Sequence, residues 1–192
     1  MQRSDELVRC GWAGELPDYV AYHDHEWGRE LRGDREMFER LSLEAFQSGL
    51  SWLTILRKRD GFRAAFADFD PERVAAFGES DVLRLLQDTA IVRNRAKIEA
   101  TIGNARALVA MDEPFSDLVW TFAPDPRPAP ETLEDIPATT PESKSLAKDL
   151  KRRGFRFVGP TTAYALMQAT GMVNDHIADC WVRNTAEARH AD

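Results

Sequence analysis

Apolar residues recur at helical spacing along most of the chain. One stretch, from Arg35 to Ser48, carries them at Met37, Phe38, Leu41, Leu43 and Ala45. Gly49 follows this stretch at a position where a helix can end. A second long helical candidate, rich in Ala, Ile and Leu, runs from Asn94 to Met111. Because no segment shows a sustained alternation of apolar and polar residues, we predict an all-α protein.

Two helix starts and one extended segment complete the predicted outline. Asp70-Pro71 and Glu79-Ser80-Asp81 have the residue types that begin helices, and short apolar stretches follow both. The segment from Pro124 to Pro141 contains six prolines, which predict an extended surface loop. We expect one domain over residues 1–192, in which this loop separates a main helical body at residues 35–122 from a helical pair at residues 143–170.

The composition is that of an ordinary globular protein, with 43% hydrophobic and 30% charged residues in a chain of 192. No stretch approaches the roughly 18 unbroken apolar residues of a membrane helix. The segment Met1 to Arg9 is polar and charged, unlike a secretory signal. We therefore expect a cytoplasmic protein without a membrane partner, and a monomer by default.

The net charge of −7 argues mildly against a nucleic-acid partner, but phosphate contacts depend on local charge. Basic residues do cluster in one short segment, at Lys144, Lys148, Lys151, Arg152, Arg153 and Arg156. Two smaller clusters are Arg57-Lys58-Arg59 and the group Arg93, Arg95 and Lys97. Each cluster has a simpler alternative, which is a solvated helix face.

Two glycines bracket a short apolar stretch between two predicted helices. The helices are Ser143 to Arg153 and Pro160 to Thr170, and the link between them begins at Gly154 and ends at Gly159. This pattern is typical of a helix-hairpin-helix, in which glycine lets the backbone approach a phosphate that the next helix's N–H groups bind. Candidate DNA contacts are therefore Gly154, Phe157, Gly159 and Thr161. An ordinary αα-hairpin is the alternative.

Cysteine and histidine residues lie near both ends of the chain. His176 and Cys180 have a known half-site spacing, and Cys10 and His23 can supply the other half of a closed Cys2His2 tetrahedron. Two alternatives remain at this point. One is a disulfide between Cys10 and Cys180, which the cytoplasm disfavours, and the other is a set of unrelated buried residues.

The hairpin segment resembles the helix-hairpin-helix DNA glycosylase superfamily. Two positions depart from its better-known members: Thr161 or Thr162 stands where lyase-competent enzymes carry a lysine, and Asn174 stands at the usual catalytic aspartate. Without the lysine, strand cleavage through a Schiff base is not expected. Asp175 is adjacent to the aspartate position, but we expect a neighbouring side chain to point elsewhere.

Motifs from one end of the chain to the other narrow this resemblance. They are Arg9-Cys10-Gly11-Trp12, Tyr22-His23-Asp24, Glu26-Trp27-Gly28, Leu43-Glu44, Gln47, Gly49-Leu50-Ser51-Trp52, Phe69-Asp70-Pro71, Ile102-Gly103-Asn104-Ala105, Lys151 to Gly159, and Val173 to His176 with Cys180. Over roughly residues 9–182 the chain resembles the bacterial 3-methyladenine DNA glycosylase I family. Ala45 replaces a usual glycine and Ser48 a usual alanine. The flanks, Met1 to Val8 and Arg183 to Asp192, are expected to be frayed ends.

The resemblance implies a monofunctional glycosylase that releases 3-methyladenine from damaged double-stranded DNA in base excision repair. Such an enzyme flips the nucleotide out and holds its base by stacking and edge hydrogen bonds. The resemblance gives Glu44 and Tyr22 contacts to the base edge, and Trp52 a stacking role. We add Trp12 as the second stacking ring, Tyr19 as a further aromatic of the pocket, and Leu50 as a plug for the gap in the DNA. For the aromatics and for Leu50, a place in the core is the alternative.

The resemblance also implies a structural zinc ion at Cys10, His23, His176 and Cys180, which would clip residues 9–28 to residues 173–182. A closed site of this kind leaves no open position for water, so zinc is not expected to be the catalyst. Two other function classes remain open from the residues themselves. One is a helix-hairpin-helix module that binds damaged DNA without cutting it, and the other is an unrelated helical small-molecule enzyme.

Overall fold

The computed structural model describes residues 7–187, and over that range the fold is helical without a strand. The predicted all-α class is thus confirmed. Three single turns of 3-10 helix accompany the α-helices, at Gly11–Ala13, Ala67–Phe69 and Leu133–Asp135. The α-helices are α1 (Pro17–His25), α2 (Asp34–Gln47), α3 (Trp52–Ala65), α4 (Pro71–Ala75), α5 (Glu79–Gln87), α6 (Arg95–Val109), α7 (Phe115–Trp120), α8 (Pro141–Arg152), α9 (Pro160–Ala169) and α10 (Trp181–Glu187).

The predicted helix starts at Asp70, Glu79 and Asn94 are confirmed, and two of them have a side-chain cap. Oδ1 of Asp70 accepts a hydrogen bond from the backbone N–H of Arg73 at 3.1 Å and begins α4. Oδ1 of Asn94 accepts from the N–H of Lys97 at 3.1 Å and begins α6. In both cases a side-chain oxygen satisfies one of the N–H groups that the first turn leaves without a partner.

Helix α3 was not among the predicted helices, because a glycine interrupts its pattern. Gly61 lies in its second half, where a glycine weakens a helix. The structure shows the reason for that glycine: a Cβ at this position would lie 2.7 Å from the carbonyl oxygen of Ala90. The glycine therefore allows the loop before α6 to pack directly against α3.

One apolar core runs through the helices on both sides of the proline-rich segment. Phe38 and Phe46 of α2 belong to it, together with Leu146 of α8 and Leu166 of α9. The division into a main helical body and a C-terminal pair is therefore a division along the chain, while the packing is continuous. This continuity fixes α9 against α2, the two helices that supply polar groups to the candidate site.

The proline-rich segment is extended, as predicted, apart from its single turn of 3-10 helix. It is tied to the C-terminal region at one point, where the N–H of Ala178 donates to the carbonyl of Pro130 at 2.8 Å. Ile136, near the end of the segment, is half-buried and reaches the candidate site.

A second, smaller core joins the two ends of the described chain around Cys10, Trp27 and Cys180. The expectation that both flanks are frayed is wrong for Val8 and Arg183, which lie next to this second core. The carbonyl of Val8 accepts from the N–H of Trp181 at 3.0 Å. Arg183 is buried and donates to the carbonyls of Asn174 and His176 at 2.8 and 2.9 Å. For residues 1–6 and 188–192 this expectation lies outside the described residues.

None of the helices described between residues 7 and 187 combines the length and the apolar character that a membrane crossing requires.

Candidate functional site

An aromatic cavity of about 240 Å³ opens between α1, α2, the start of α3 and α9. Its lining is Trp12, Tyr19, Tyr22, Trp27, Glu44, Gln47, Trp52, Ile136, Ala165 and Gln168. All five residues predicted to bind or act on a base are in this lining. Drug-sized ligands occupy pockets of roughly 300–1,000 Å³, so this smaller cavity suits a single small planar ring system.

Glu44 is the acidic group of the cavity. It lies in α2 and is 5% exposed. Its carboxylate accepts no hydrogen bond from any residue between 7 and 187. Burial raises the pKa of Glu44 to about 7, and the charge of Arg40 opposes this rise only in part. A buried carboxylate without a partner is costly, so Glu44 is placed to accept hydrogen bonds from a ligand.

Tyr22 is oriented by the same arginine. Its hydroxyl oxygen accepts from Nη1 of Arg40 at 3.0 Å, which leaves the hydroxyl hydrogen available for another acceptor. Arg40 is itself buried, and its Nη2 lies 3.7 Å from Oε2 of Glu26. Burial raises the pKa of Tyr22 above its ordinary value, so the phenol stays protonated as a donor.

The rings of the cavity meet at an angle to one another. The Trp12 centroid lies 5.2 Å from that of Tyr19 and 6.3 Å from that of Tyr22, with interplanar angles of 55° and 57°. Trp52 lies 5.3 Å from Tyr22 at 41°. Nε1 of Trp52 is buried and has no hydrogen-bond partner within the described part of the chain. The walls of the cavity are thus aromatic.

Five lining residues carried no sequence-based prediction: Trp27, Gln47, Ile136, Ala165 and Gln168. Gln47 could have been predicted from the sequence, because it lies one helical turn after Glu44 on α2 and shares its face. Ile136 had none, because it comes from the extended segment, whose path depends on tertiary contacts.

Asp175, next to the expected aspartate position, is fully buried outside the cavity lining. Its carboxylate pairs with Arg127 and accepts from the Tyr164 hydroxyl at 2.5 Å and from Nε2 of Gln168 at 2.9 Å. Asn174 uses its own side-chain oxygen to accept from the N–H of His176 at 3.3 Å. Neither residue presents a carboxylate to the cavity.

The four predicted metal ligands meet in one buried cluster. The ligand atoms of Cys10, His23, His176 and Cys180 all lie within 4.8 Å of one another. Nδ1 of His176 is 3.6 Å from Sγ of Cys10 and 3.4 Å from Sγ of Cys180, and Nε2 of His23 is 3.6 Å from Sγ of Cys180. A zinc tetrahedron with sulfur and nitrogen ligands has edges of about 3.5 Å. The cluster therefore has the dimensions of a metal site.

The hydrogen bonds around the two histidines turn a ring lone pair toward the cluster. Nδ1 of His23 lies 2.8 Å from a carboxylate oxygen of Asp24, and Nε2 of His176 lies 3.1 Å from the carbonyl oxygen of Trp27. Both oxygens can only accept, so these ring nitrogens donate, and in the neutral imidazole the lone pair is then on the opposite nitrogen, which faces the cluster. This is the outer arrangement that metal-bound histidines usually show.

The alternative of a disulfide between the chain ends does not match the structure, because both thiols are free. Hydrogen bonding from the Cys10 thiol lowers the pKa of Cys180. His176 and Cys180 lie in an irregular turn before α10, so their four-residue spacing is realised outside a helix.

A groove of about 840 Å³ follows the turn between α8 and α9. Phe155 and Val158 of the turn are buried, whereas Phe157 is 44% exposed and has a φ of +57°. Gly154 has a φ of +96°, a conformation that favours glycine. Gly159 has an ordinary φ of −85°, but a Cβ there would face open space, so its backbone stays accessible. Thr161 is exposed in the first turn of α9.

The turn is held against α6 by one side chain. Asn104 is 2% exposed, and its amide donates to the carbonyl of Arg156 at 3.0 Å and accepts from the N–H of the same residue at 2.8 Å. This paired contact fixes the turn that carries Phe157. It gives a structural role to Asn104 of the Ile102-Gly103-Asn104-Ala105 motif.

The basic clusters differ in whether their charges are neutralised. Lys144, Lys148, Lys151 and Arg156 line the groove without an acidic partner among residues 7–187. In the same segment, Arg152 and Arg153 pair with Asp149. The other two clusters are largely used inside the molecule, by ion pairs of Arg57 with Asp18, Arg59 with Glu26 and Arg95 with Glu79 and Glu99.

Leu50 is 42% exposed in the short loop between α2 and α3, so the alternative that it is a core residue is wrong. Gly49 before it has a φ of +82°. The loop is anchored from below by Lys97, whose Nζ donates to the carbonyls of Phe46 and Ser48 at 2.9 and 2.6 Å.

Comparisons with known proteins cover nearly the whole chain. The family model described as methyladenine glycosylase matches residues 12–184. The DNA-3-methyladenine glycosylase 1 of Escherichia coli (strain K12) is 50% identical over 179 residues, which make up 91% of this chain and 96% of that protein.

Solved structures agree in fold. A crystal structure of 3-methyladenine DNA glycosylase I has a TM-score of 0.88 at 51% identity, and the match covers 91% of this chain and 98% of the other. A variant of 3-methyladenine DNA glycosylase I, solved in complex with 3-methyladenine, has a TM-score of 0.86 at 35% identity and covers 91% and 96% of the two chains.

Proposed function

Since this chain belongs to the methyladenine glycosylase family, we propose that it hydrolyses the N-glycosidic bond of 3-methyladenine in alkylated double-stranded DNA, as a monofunctional enzyme of base excision repair. The observation that carries this proposal is the carboxylate of Glu44, which has no hydrogen-bond partner among residues 7–187 and lies inside a cavity of aromatic rings. A similar protein has been solved with 3-methyladenine itself, which supports the choice of base.

Recognition begins with a flipped nucleotide, because the bond to be cut is inaccessible inside the duplex. Trp12 and Trp52 stack against the base, each stack contributing about 1–3 kcal/mol, and Tyr19 extends the wall. Glu44 accepts a hydrogen bond from the exocyclic amine, and the Tyr22 hydroxyl contacts another edge. The negative charge of Glu44 also favours the cationic lesion over neutral bases.

The chemical step needs little help from a protein group. In DNA a 3-methylated adenine is positively charged, so the glycosidic electron pair moves onto the base and neutralises it as the bond breaks. A water oxygen then bonds to the sugar carbon and loses its proton to solvent. The cavity binds the departing base and shields the sugar, which is compatible with the absence of a carboxylate at Asn174.

The same residues favour hydrolysis without strand cleavage. The position that carries a lysine in lyase-competent relatives of the superfamily is occupied here by Thr161 or Thr162. Neither hydroxyl forms a Schiff base with the opened sugar, so the expected product is an abasic site in an intact strand.

The DNA backbone is assigned to the turn between α8 and α9, which we interpret as the helix-hairpin-helix. The accessible backbone at Gly154 and Gly159, with Phe157 and Thr161, approaches the phosphates. The lysines of the groove, which have no acidic partner in the described part of the chain, supply attraction. Leu50, exposed at the tip of its loop, fills the space that the flipped nucleotide leaves.

We also propose that Cys10, His23, His176 and Cys180 hold a structural zinc ion. The distances within the cluster, the burial of all four residues and the two oriented histidines support this choice. Such an ion would clip residues 9–28 to residues 173–182 and add folding free energy. With four protein ligands, its contribution is to structure.

The enzyme is proposed to act as a single domain over residues 1–192, as a monomer, and in the cytoplasm.

The test of this proposal is to identify both products. Methylated duplex DNA is incubated with the purified protein, the released bases are separated by chromatography, and the DNA is analysed before and after alkali. The proposal expects free 3-methyladenine and strands that break only after alkali. Strand breaks without alkali would contradict the monofunctional assignment, and DNA binding without base release would indicate a non-catalytic binding module.

A further inference from the structure

Gln168 of α9 lines the aromatic cavity and is held by a buried carboxylate. Its Nε2 donates to Oδ2 of Asp175 at 2.9 Å. Asp175 is completely buried, accepts from the Tyr164 hydroxyl and pairs with Arg127. The anchor of Gln168 is therefore a fixed group within the fold, and the amide has little freedom to rotate.

The anchor also decides which end of the amide is available. A carboxylate accepts hydrogen bonds and does not donate them, so the NH2 group of Gln168 must face Asp175. The opposite orientation would bring two acceptor oxygens together. Oε1 of Gln168 is then the remaining end, and no residue in the range 7–187 donates a hydrogen bond to it. Because Gln168 lines the cavity, its Oε1 is an oriented acceptor at the same site as Glu44.

We propose that Oε1 of Gln168 is a specificity-determining acceptor for the exocyclic amine of the adenine lesion. This inference rests on the proposed function and deepens it. The amine has two N–H groups, which Gln168 and Glu44 share between them. A methylated guanine carries a carbonyl oxygen at the same ring position, and Oε1 repels that oxygen. A site built to accept a hydrogen bond rejects an analogue that cannot donate it.

Under this proposal two variants should differ in how strongly they weaken substrate discrimination. A purely structural role of Gln168 would not predict such a difference. Gln168→Leu removes the acceptor and keeps the approximate size of the side chain. Asp175→Asn keeps the shape of the anchor but lets the Gln168 amide turn over, because an asparagine can either donate or accept. Both changes should weaken discrimination between an amine and a carbonyl, and Gln168→Leu should do so more strongly.

The test measures release of 3-methyladenine and 3-methylguanine from the same methylated duplex DNA under single-turnover conditions. For Gln168→Leu we expect the release rate of 3-methyladenine to fall about tenfold or more, while that of 3-methylguanine stays constant or rises. Gln87→Leu, the same change on the exposed surface of α5, is the control and should leave both rates as they are. Thermal unfolding of each variant establishes that it is folded, and Gln168→Met replaces Gln168→Leu if the latter is not.

Equal reduction of both activities would overturn the proposal, since it would show that Gln168 merely supports the cavity. Unchanged rates would overturn it as well. Failure of the wild-type protein to release any base is a different result, because it would contradict the proposed function and not the assignment of Gln168.

Discussion

The backbone carbonyl of Trp27 accepts a hydrogen bond from Nε2 of His176 at 3.1 Å, and the indole of the same tryptophan lines the aromatic cavity. The ring centroids of the two residues are 4.6 Å apart. Trp12, another wall of the cavity, lies 5.1 Å from the ring of His23. The cluster of Cys10, His23, His176 and Cys180 is therefore adjacent to the cavity, and it contacts two of the cavity walls.

Removing zinc should accordingly affect both stability and base binding. We expect about one zinc per chain in the purified protein, and its chelation should lower the melting temperature and weaken release of 3-methyladenine. Asp24→Asn, which alters the group that orients His23, should reduce zinc affinity by about 10- to 100-fold. Metal analysis and thermal unfolding check both effects. A zinc-free protein with unchanged stability and activity would contradict the clip.

Glu44→Gln should make the protein more stable at alkaline pH while weakening its activity. Burial raises the pKa of Glu44 from its ordinary value of 4.5 to about 7. A raised pKa means that the folded state disfavours the carboxylate, so stability declines as pH rises from about 4.5 to about 7. Above that range, Glu44→Gln should have a free energy of unfolding that exceeds the wild-type value by about 3 kcal/mol. Below it, this difference should vanish.

Thermal unfolding of both proteins at pH 4 to 8 measures this difference. Glu72→Gln, at an exposed position of α4, is the control and should shift the melting temperature little at any pH. A melting temperature for Glu44→Gln that parallels the wild type throughout would show that Glu44 has a partner when buried.

Lys97→Met should loosen the loop that carries Leu50. Nζ of Lys97 binds two carbonyls at the end of α2, and its removal leaves the buried carbonyl of Phe46 unsatisfied, at a cost of about 1–3 kcal/mol. We expect a lower melting temperature and slower base release from duplex DNA. Lys58→Met is the matched control, because the exposed Nζ of Lys58 binds one carbonyl, that of Thr89. Equal effects of the two substitutions would contradict a special role for Lys97.

The lysines of the groove should determine the salt dependence of DNA binding. Changing Lys144, Lys148 and Lys151 together to Gln should flatten the plot of log affinity against log salt by about 0.9 for each phosphate that is no longer neutralised. A control triple at Arg57, Arg84 and Arg95 removes the same charge from residues that have acidic partners. Titrations at several salt concentrations compare the two. A similar slope for the two triple-substitution variants would contradict the assignment of the groove as the DNA-binding surface.

The sequence predicted those parts of the molecule that depend on local patterns. Asp70 and Asn94 begin helices through hydrogen bonds within one turn, so their residue types were sufficient. The four cysteine and histidine residues of the buried cluster and the five base-contact candidates came from motifs, and the structure brings each group together. The orientation of Gln168 was beyond reach, because it depends on Asp175 and Arg127, which approach α9 only after folding.

The same limit explains the basic clusters. Composition does not distinguish Lys148, which faces open groove, from Arg95, which is paired with Glu79 across a helix boundary. Only the tertiary fold decides which charges are neutralised within the chain and which remain for a partner.

The role of the aromatic cavity in base release is measured by single-turnover release of 3-methyladenine by the wild type, Glu44→Gln and Trp52→Ala, from duplex DNA that also contains 7-methylguanine. We expect the wild type to free 3-methyladenine and retain 7-methylguanine. Both variants should remain folded and bind DNA, but release the base at least about tenfold more slowly, since each lacks one of the groups that hold it. Undiminished release by both variants would contradict the assignment of the cavity, and no release by a folded, zinc-replete wild type would contradict the proposed activity.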